Sequence, residues 1–310
     1  METPKTLVDA IKYFSDPDNA LEYFAAYRWP NGVECPYCQS KEPMFLKTRR
    51  IWKCRATKCR KQFSVKVGTL FNESPIGLDK WLIAIWLISN CKNGISSYEI
   101  ARDLGVTQKT AWFMLGRIRD AMQSEVAGGK LAGEVEVDET FIGGNARNMH
   151  SAYRKTRMAE GHSGKTIAFG MVERGGKVRT SVVNRRSKPV LQAQVREHIQ
   201  AGSAIFSDEL LSYEGLSEDF KHAVINHAVE YVRGNVHTNT MENFWSLVKR
   251  GLNGTYVSVE PFHLFRYLDE QAFRYNNREV TDADRFRTVC KHIAGRRLTW
   301  NQLTGKEQKA

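Results

Sequence analysis

"EVEVDETFIGG", residues 134–144, is the stretch on which the fold reading turns. Val135 and Val137, followed by Phe141, have the two-residue period of a strand with one buried face. By parity Glu134, Glu136 and Asp138 lie on the opposite face. A solvated face accounts for one or two carboxylates. It accounts less well for a cluster of them in a chain with 46 Lys+Arg against 34 Asp+Glu and a formal net charge of +12.

Downstream the strand-like pattern continues. "TIAFGMVER" (166–174) and "KVRTSVVN" (177–184) read as two further strands joined at a Gly-Gly turn. "PVLQAQVREHIQ" (189–200) reads as an amphipathic helix, and "AIFSDEL" (204–210) as a short strand ending in Asp208. "MENFWSLVKRGL" (241–252) and "PFHLFRYLDEQAFRYNNR" (261–278) read as helices, the second with Phe262, Phe265, Leu268 and Ala272 on one face. Three strands, a crossing helix, another strand and closing helices make a mixed α/β layer.

Two Asp residues in this layer are predicted at strand ends. Asp138 ends or nearly ends the first strand, and Asp208 ends the strand after the crossover, where open α/β sheets place ligand groups. Glu242 lies on the first turn of a helix. Two Asp at strand ends and a Glu on a facing helix can converge on a pair of hard divalent cations, since Mg²⁺ takes oxygen ligands. Such a pair serves in-line phosphoryl transfer. Each residue also has a plainer reading. Asp138 and Asp208 could be strand-end caps, and Glu242 could complement its helix dipole. Glu139 or Glu209 could be the ligand of either pair. His222, His227 and His237 precede Glu242, and His237 could approach the site.

Upstream, "VAGGKLAGE" (126–134) is Gly-rich and polar and predicts a domain boundary. Before it, "GISSYEIARDLGVTQKTAWFMLGRIRDAM" (94–122) predicts a helix-turn-helix. Ser97 would cap the first helix, Gly105 would end it in a left-handed conformation, and Thr107 would cap the second. Gln108, Lys109 and Thr110 would then open a recognition helix. Trp81, Ile85 and Ile88 predict an apolar helical face ahead of this pair.

Four of six cysteines form two close pairs, "CPYC" (Cys35, Cys38) and "CRATKC" (Cys54, Cys59), with fifteen residues between them. That spacing suits a tetrahedral thiolate site for Zn²⁺, with "MFLKTRRIWKC" (44–54) as the hairpin of a zinc ribbon. Cys91 and Cys290 are predicted core residues. Between Lys41 and Lys66 stand ten cations, Arg49, Arg50 and Lys53 among them, against Glu42 alone. A charge run is often only a solvated face. On a metal-stapled hairpin it also suits a phosphate backbone.

The basic balance favours a polyanionic partner, most simply double-stranded DNA. The most apolar run, "WLIAIWLIS" (81–89), is about half of what a bilayer requires. The start "METPKTLVDA" lacks the pattern of a secretory signal. A cytoplasmic, nucleoid-associated bacterial protein is expected, with no membrane partner.

Taken together, "CPYC…CRATKC", "VEVDETFIGG", "SDELLSYEGL" and "HTNTMENFWSLVKRGLNGTYVSV" resemble the IS1595 (ISXO2-like) family of insertion-sequence transposases, from about Ala20 to Asn277. The resemblance implies a multidomain α+β chain: an N-terminal zinc ribbon and helix-turn-helix, then an RNase H-like α/β catalytic domain with an Asp-Asp-Glu triad. It implies Asp138, Asp208 and Glu242 as ligands of Mg²⁺ or Mn²⁺, and Lys249, with Arg250 beside it, as a holder of DNA phosphate. The third acidic position varies in this family, where Asn can replace Glu, and Asn239 and Asn243 lie close by. The expected divisions are 1–70 for an N-terminal helical segment and the ribbon, 71–128 for the helix-turn-helix region, 129–280 for the catalytic domain, and 281–310 for a C-terminal helix and tail. The implied activity is metal-dependent cleavage and strand transfer at the element's terminal inverted repeats and a target DNA, by an assembly at least dimeric. The alternatives are a non-catalytic repressor or architectural protein derived from a transposase, and a nuclease of the same fold. The loop 144–165, rich in Arg and Lys, could be a disordered insertion or a DNA clamp.

Overall fold

Strand β4, Glu134–Ile142, is the centre of a five-stranded sheet in the computed structural model, which describes residues 3–126, 128–143, 165–208, 211–225 and 237–306. Around it lie β5 (Thr166–Glu173), β6 (Val178–Val183), β7 (Ala204–Asp208) and β8 (Lys221–Ile225), in the order β6-β5-β4-β7-β8. β4, β5 and β6 form an antiparallel meander, whereas β7 and β8 run parallel to β4. The β5–β6 turn holds Gly175 at φ +71°, a conformation glycine adopts without strain. The parallel pairing of β4 with β7 needs a crossover, and helix α6 (Lys188–His198) lies within it.

A central strand is covered on both faces, and β4 departs from the expected simple alternation for that reason. Val135 and Val137 are buried with Phe169, Met171 and Ile205 against Leu191 and Val195 of α6, and against Tyr213 and Leu216. The other face carries helix α7 (Asn239–Gly251), so Glu136 and Thr140 are buried as well. Phe141, expected inside, is 40% exposed and lies beneath the Arg186 guanidinium. Gly170, the partner of Asp138 in the β4–β5 register, lets α7 come close: a β-carbon there would collide with the side chains of Met241 and Trp245. Helix α8 (Leu264–Asn276) packs on β6 through a stripe that begins at Leu264 and continues through Leu268 and Ala272. The predicted stripe was shifted, because Phe262 precedes the helix in a 3₁₀ turn and is exposed, while Phe265 is only half-buried.

These elements form one compact unit, residues 126–278; the other joins 1–125 with 279–310. The second unit is built on α3 (Leu78–Asn90), whose Trp81, Ile85 and Ile88 are all buried. It packs with α1 (Leu7–Phe14), α2 (Pro17–Arg28) and α9 (Asp282–Lys291). Phe286 of α9 sits among the rings of Phe14, Tyr23 and Trp86. The C-terminal helix and tail, set apart in the sequence reading, therefore belong to the same unit as the N-terminal elements. Burial of rings such as these stabilises by about 1.5–3 kcal/mol each. Cys290 is buried as expected, and Cys91 is half-buried at the end of α3.

Also in this unit are the short strands β1 (Met44–Leu46), β2 (Ile51–Lys53) and β3 (Gln62–Phe63), the expected hairpin plus a third strand. Helix α4 (Ser97–Leu104) is capped by Ser96, one residue before the expected Ser97. The reason is Glu99, which stands three residues after Ser96 and closes a reciprocal capping box with it. Gly105 ends α4 at φ +59°, and Thr107 caps α5 (Gln108–Val126) by accepting the N–H of Thr110 at 3.2 Å. The chain closes with the short α10 (Trp300–Thr304).

Candidate functional site

The parallel register pairs Val135 with Ile205 and Glu136 with Phe206. Carried two residues further, it sets Asp138 beside Asp208 on one face. Asp208 ends β7 as expected, whereas Asp138, expected at or near a strand end, lies midway along β4 because the pairing with β5 continues to Ile142. One oxygen each of Asp138, Glu139 and Asp208 lie within 4.8 Å of one another. Opposite corners of a Mg²⁺ octahedron are about 4.2 Å apart, so the three can share a divalent cation after small side-chain rotations. Asp138 Oδ1 accepts the backbone N–H of Glu139 at 2.8 Å. Glu139 turns to the inner face and accepts the hydroxyl of buried Tyr213. Burial, and then the charges of Asp208 and Asp138, push Glu139 up to about 7, against the opposing pull of the Tyr213 hydroxyl and Arg186.

Glu242 is not in this cluster. It is exposed on the first turn of α7 and accepts the Thr238 hydroxyl at 3.2 Å. Met241, Trp245 and Val248 form the buried stripe of α7, and Glu242 and Lys249 flank it two turns apart, both exposed. Glu139, left as an alternative in the sequence reading, occupies the place beside the two Asp. His237 lies against Glu136, with Nδ1 3.2 Å from Oε1, and against Arg174, whose Nη2 reaches its carbonyl at 2.9 Å and its ring Nδ1 at 3.2 Å. His222 bonds Ser207 Oγ at 2.8 Å, and burial holds its ring below the usual histidine range. Sequence reasoning missed Glu136 and Arg174, which meet in a buried ion pair at 2.8 Å. The signal was present: Glu136 alternates with two buried valines on what proved to be a doubly covered strand. Glu209, His227 and the loop 144–164 fall outside the described residues.

The four cysteines of the ribbon also converge, with all four sulfurs within 4.8 Å of one another. Cys35 Sγ lies 3.8 Å from Cys59 Sγ, and Cys38 Sγ lies 3.5 Å from Cys54 Sγ. A Zn–S bond of about 2.3 Å gives a tetrahedral S···S edge of about 3.8 Å, so the residues fit the ion. Burial raises the Cys35 thiol, but the backbone N–H groups of Tyr37 and Cys38 and the neighbouring sulfurs outweigh it and bring it down to about 7.

Of the residues predicted to meet DNA, Arg49, Arg50, Lys109, Lys249 and Arg250 are exposed. Lys109 extends its ammonium over the Trp300 ring. Arg49 donates to Gln62 at 3.0 Å, while Arg50 is paired with Asp18 at 2.6 Å. Gln108 is turned inward: its amide donates to Ser97 Oγ at 2.8 Å and ties α5 to α4. Thr110 bonds Thr107, and Lys53 is half-buried on β2.

Residues 130–276, nearly the whole of the sheet unit, match the ISXO2-like transposase domain, and residues 15–62 match the transposase zinc-ribbon domain. The chain is 31% identical over 105 residues to an uncharacterized transposase-like protein of Haemophilus influenzae, covering 34% of this chain and 85% of the relative. It is 26% identical over 255 residues to an uncharacterized protein in transposable element ISH50 of Halobacterium salinarum, covering 78% of this chain and 85% of the relative. The chain belongs to the ISXO2-like insertion-sequence transposase family. In this family member the transposase domain carries Asp138, Glu139 and Asp208, and the zinc-ribbon domain carries all four converging cysteines. The α4–α5 pair lies between the two matched regions. Among the described residues no helix is long and apolar enough to cross a membrane.

Proposed function

We propose that the protein is an active DNA transposase. Its ribbon and α4–α5 pair would bind the terminal repeats of its element, and its sheet unit, read as RNase H-like, would cut and rejoin strands. The observation that carries this reading is the convergence of Asp138, midway along β4, with Asp208, at the end of the adjacent parallel strand β7, inside the transposase domain. These two carboxylates would hold Mg²⁺ or Mn²⁺, which supplies activation of an attacking oxygen and charge neutralisation at a transferring phosphate. Glu139 would add negative charge from the inner face, and Glu242 would complete the set from α7 by leaving Thr238 and turning toward Asp138. Lys249, two turns along the same face of α7, would hold the DNA backbone. The ribbon cysteines would hold a structural zinc ion. Synapsis of two element ends asks for at least a dimer, and the cytoplasm is where such DNA is found.

The test is purified protein with Mg²⁺ on DNA carrying the flanks of its own gene, beside Asp138→Asn. Nicks at the element ends followed by joined products, all lost in the variant, are expected. Nicking without joining would indicate a nuclease. Binding with equal inactivity of both proteins, in Mn²⁺ as well, would leave a DNA-binding repressor.

A further inference from the structure

Glu136 precedes Asp138 by two residues on the same face of β4, and it is 0% exposed. A carboxylate sealed from water persists only when charge and hydrogen bonds compensate it. Its Oε1 accepts from Arg174 Nε at 2.8 Å and from Thr240 Oγ1 at 2.9 Å, and its Oε2 accepts the backbone N–H of Met241 at 3.0 Å. The last two donors belong to the first turn of α7. Thr238, at the N-cap position of that helix, makes no side-chain capping bond. A neighbouring strand thus supplies the anion that a capping residue ordinarily provides at a helix N-terminus.

Arg174 extends the linkage. Beyond Glu136 it donates from Nη1 to Glu134 at 3.1 Å and from Nη2 to the carbonyl of His237 at 2.9 Å. Its guanidinium lies 4.1 Å from the centroid of the Phe206 ring. Phe206 precedes Asp208 by two residues on β7, as Glu136 precedes Asp138 on β4. One cation therefore touches the two strands that carry the aspartates and the segment that leads into the helix of Glu242. A guanidinium can do this because its donors are fixed in one plane while its face stacks.

We infer that Glu136 and Arg174 are positioning residues that set the first turn of α7, and with it Glu242 and Lys249, against the Asp138–Asp208 pair. The inference rests on the transposase reading above for its functional consequence, though not for its geometry. Neither residue contacts substrate in this role.

The experiment uses the full chain and the variants Glu136→Gln, Arg174→Lys and Asp138→Asn. Amide hydrogen exchange without metal reads the Met241 N–H, calorimetry reads Mn²⁺ affinity, and cleavage of an element end is followed across a Mg²⁺ titration. Glu136→Gln is expected to lose at least tenfold in protection at Met241 while Val195 of α6 is unchanged. Its Mg²⁺ requirement should rise several-fold and its maximal rate fall roughly tenfold to a hundredfold, the range expected when a reacting group is displaced by about 1 Å. Arg174→Lys, which keeps the charge and loses the fork, should fall between that variant and the parent. Asp138→Asn should lose cleavage with Met241 protection intact. Should Glu136→Gln fail to fold, Thr240→Ala removes one bond of the same set and is expected to shift each readout in the same direction by less. Unchanged Met241 protection would overturn the inference. So would lost protection with Mg²⁺ dependence and rate at their parental values. If the parent itself cleaves in neither Mg²⁺ nor Mn²⁺, the transposase reading fails. The positioning role is then decided by Mn²⁺ affinity, supported if Glu136→Gln weakens it and overturned if it does not.

Discussion

The hydroxyl of Tyr213 donates to the carboxylate of Glu139, on the face of β4 opposite α7. That bond holds a third carboxylate next to Asp138 and Asp208 in a setting that raises its pKa to about 7. Without a cation the three charges oppose one another. Glu139→Gln keeps an acceptor for Tyr213 and removes one charge. The metal-free protein is expected to gain about 1–2 kcal/mol at pH 8, and its affinity for Mn²⁺ to fall. Thermal melting with and without Mn²⁺ checks both signs. A destabilised metal-free variant would contradict this account of the cluster.

The ribbon has three strands of three residues or fewer, too little to hold itself together by burial alone. Chelation of zinc, or Cys54→Ser, is expected to unfold it and abolish binding to the element end, with the sheet unit still folded. One zinc per chain by atomic absorption and circular dichroism before and after chelation provide the measurement.

His198 and His222 are both held below the usual histidine pKa, in each case chiefly by burial. An unfolded chain takes up protons at these sites below about pH 6.5, whereas the folded chain resists. Stability is thus fully present above that pH and is lost as pH falls through the folded-state values. Urea melts from pH 7.5 to 5 should show a falling midpoint, and a His198→Gln, His222→Gln double variant should flatten that slope.

Much of the architecture was legible because side-chain periods and punctuation agree with one another. The strands, the crossover helix and the cysteine pairs follow from alternation, glycine turns and ligand spacing. What was not legible depended on long-range covering. Glu136 is buried because α7 covers its face of β4, a contact that no local pattern encodes, while Phe141, on the opposite face near the strand's end, is covered only in part, by Arg186. Asp208 was legible from its position at a strand end, whereas Asp138 lies midway along a strand that runs on to Ile142. Glu139 shares the inner face with Val135 and Val137 by strand parity, but its partner there, Tyr213, is distant in sequence, and Ser96 takes the cap from Ser97 because Glu99 stands at the right interval.

Arg49 and Arg50 are neighbours in sequence but differ in their partners. Arg50 is paired with Asp18, so much of its charge is already compensated within the chain, whereas Arg49 donates to the neutral amide of Gln62. Arg49→Ala with Lys53→Ala is expected to weaken DNA binding about equally for all sequences and to reduce the salt slope by about 2. Arg50→Ala should change the slope by less. Binding isotherms between 50 and 200 mM salt, roughly the range in which released counterions dominate, distinguish the two.

Gly170 is the contact point between the sheet and α7. It lies opposite Asp138, and a β-carbon there would meet Met241 and Trp245, both buried and both on the sheet-facing stripe of the helix. Trp245 is confined by its packing against Phe244, so the added carbon presses on the helix through a rigid ring, whereas Met241 meets it only with its terminal methyl. Gly170→Ala is therefore expected to cost about 1–3 kcal/mol, the usual range for overpacking a core. The displacement acts on the helix that carries Glu242, so cleavage should fall by more than the loss of folded protein explains. Melting temperature and cleavage rate measured at a temperature where the variant remains fully folded separate the two effects. A variant that melts lower but cleaves at the parental rate would show that the distance between α7 and β4 does not govern the site.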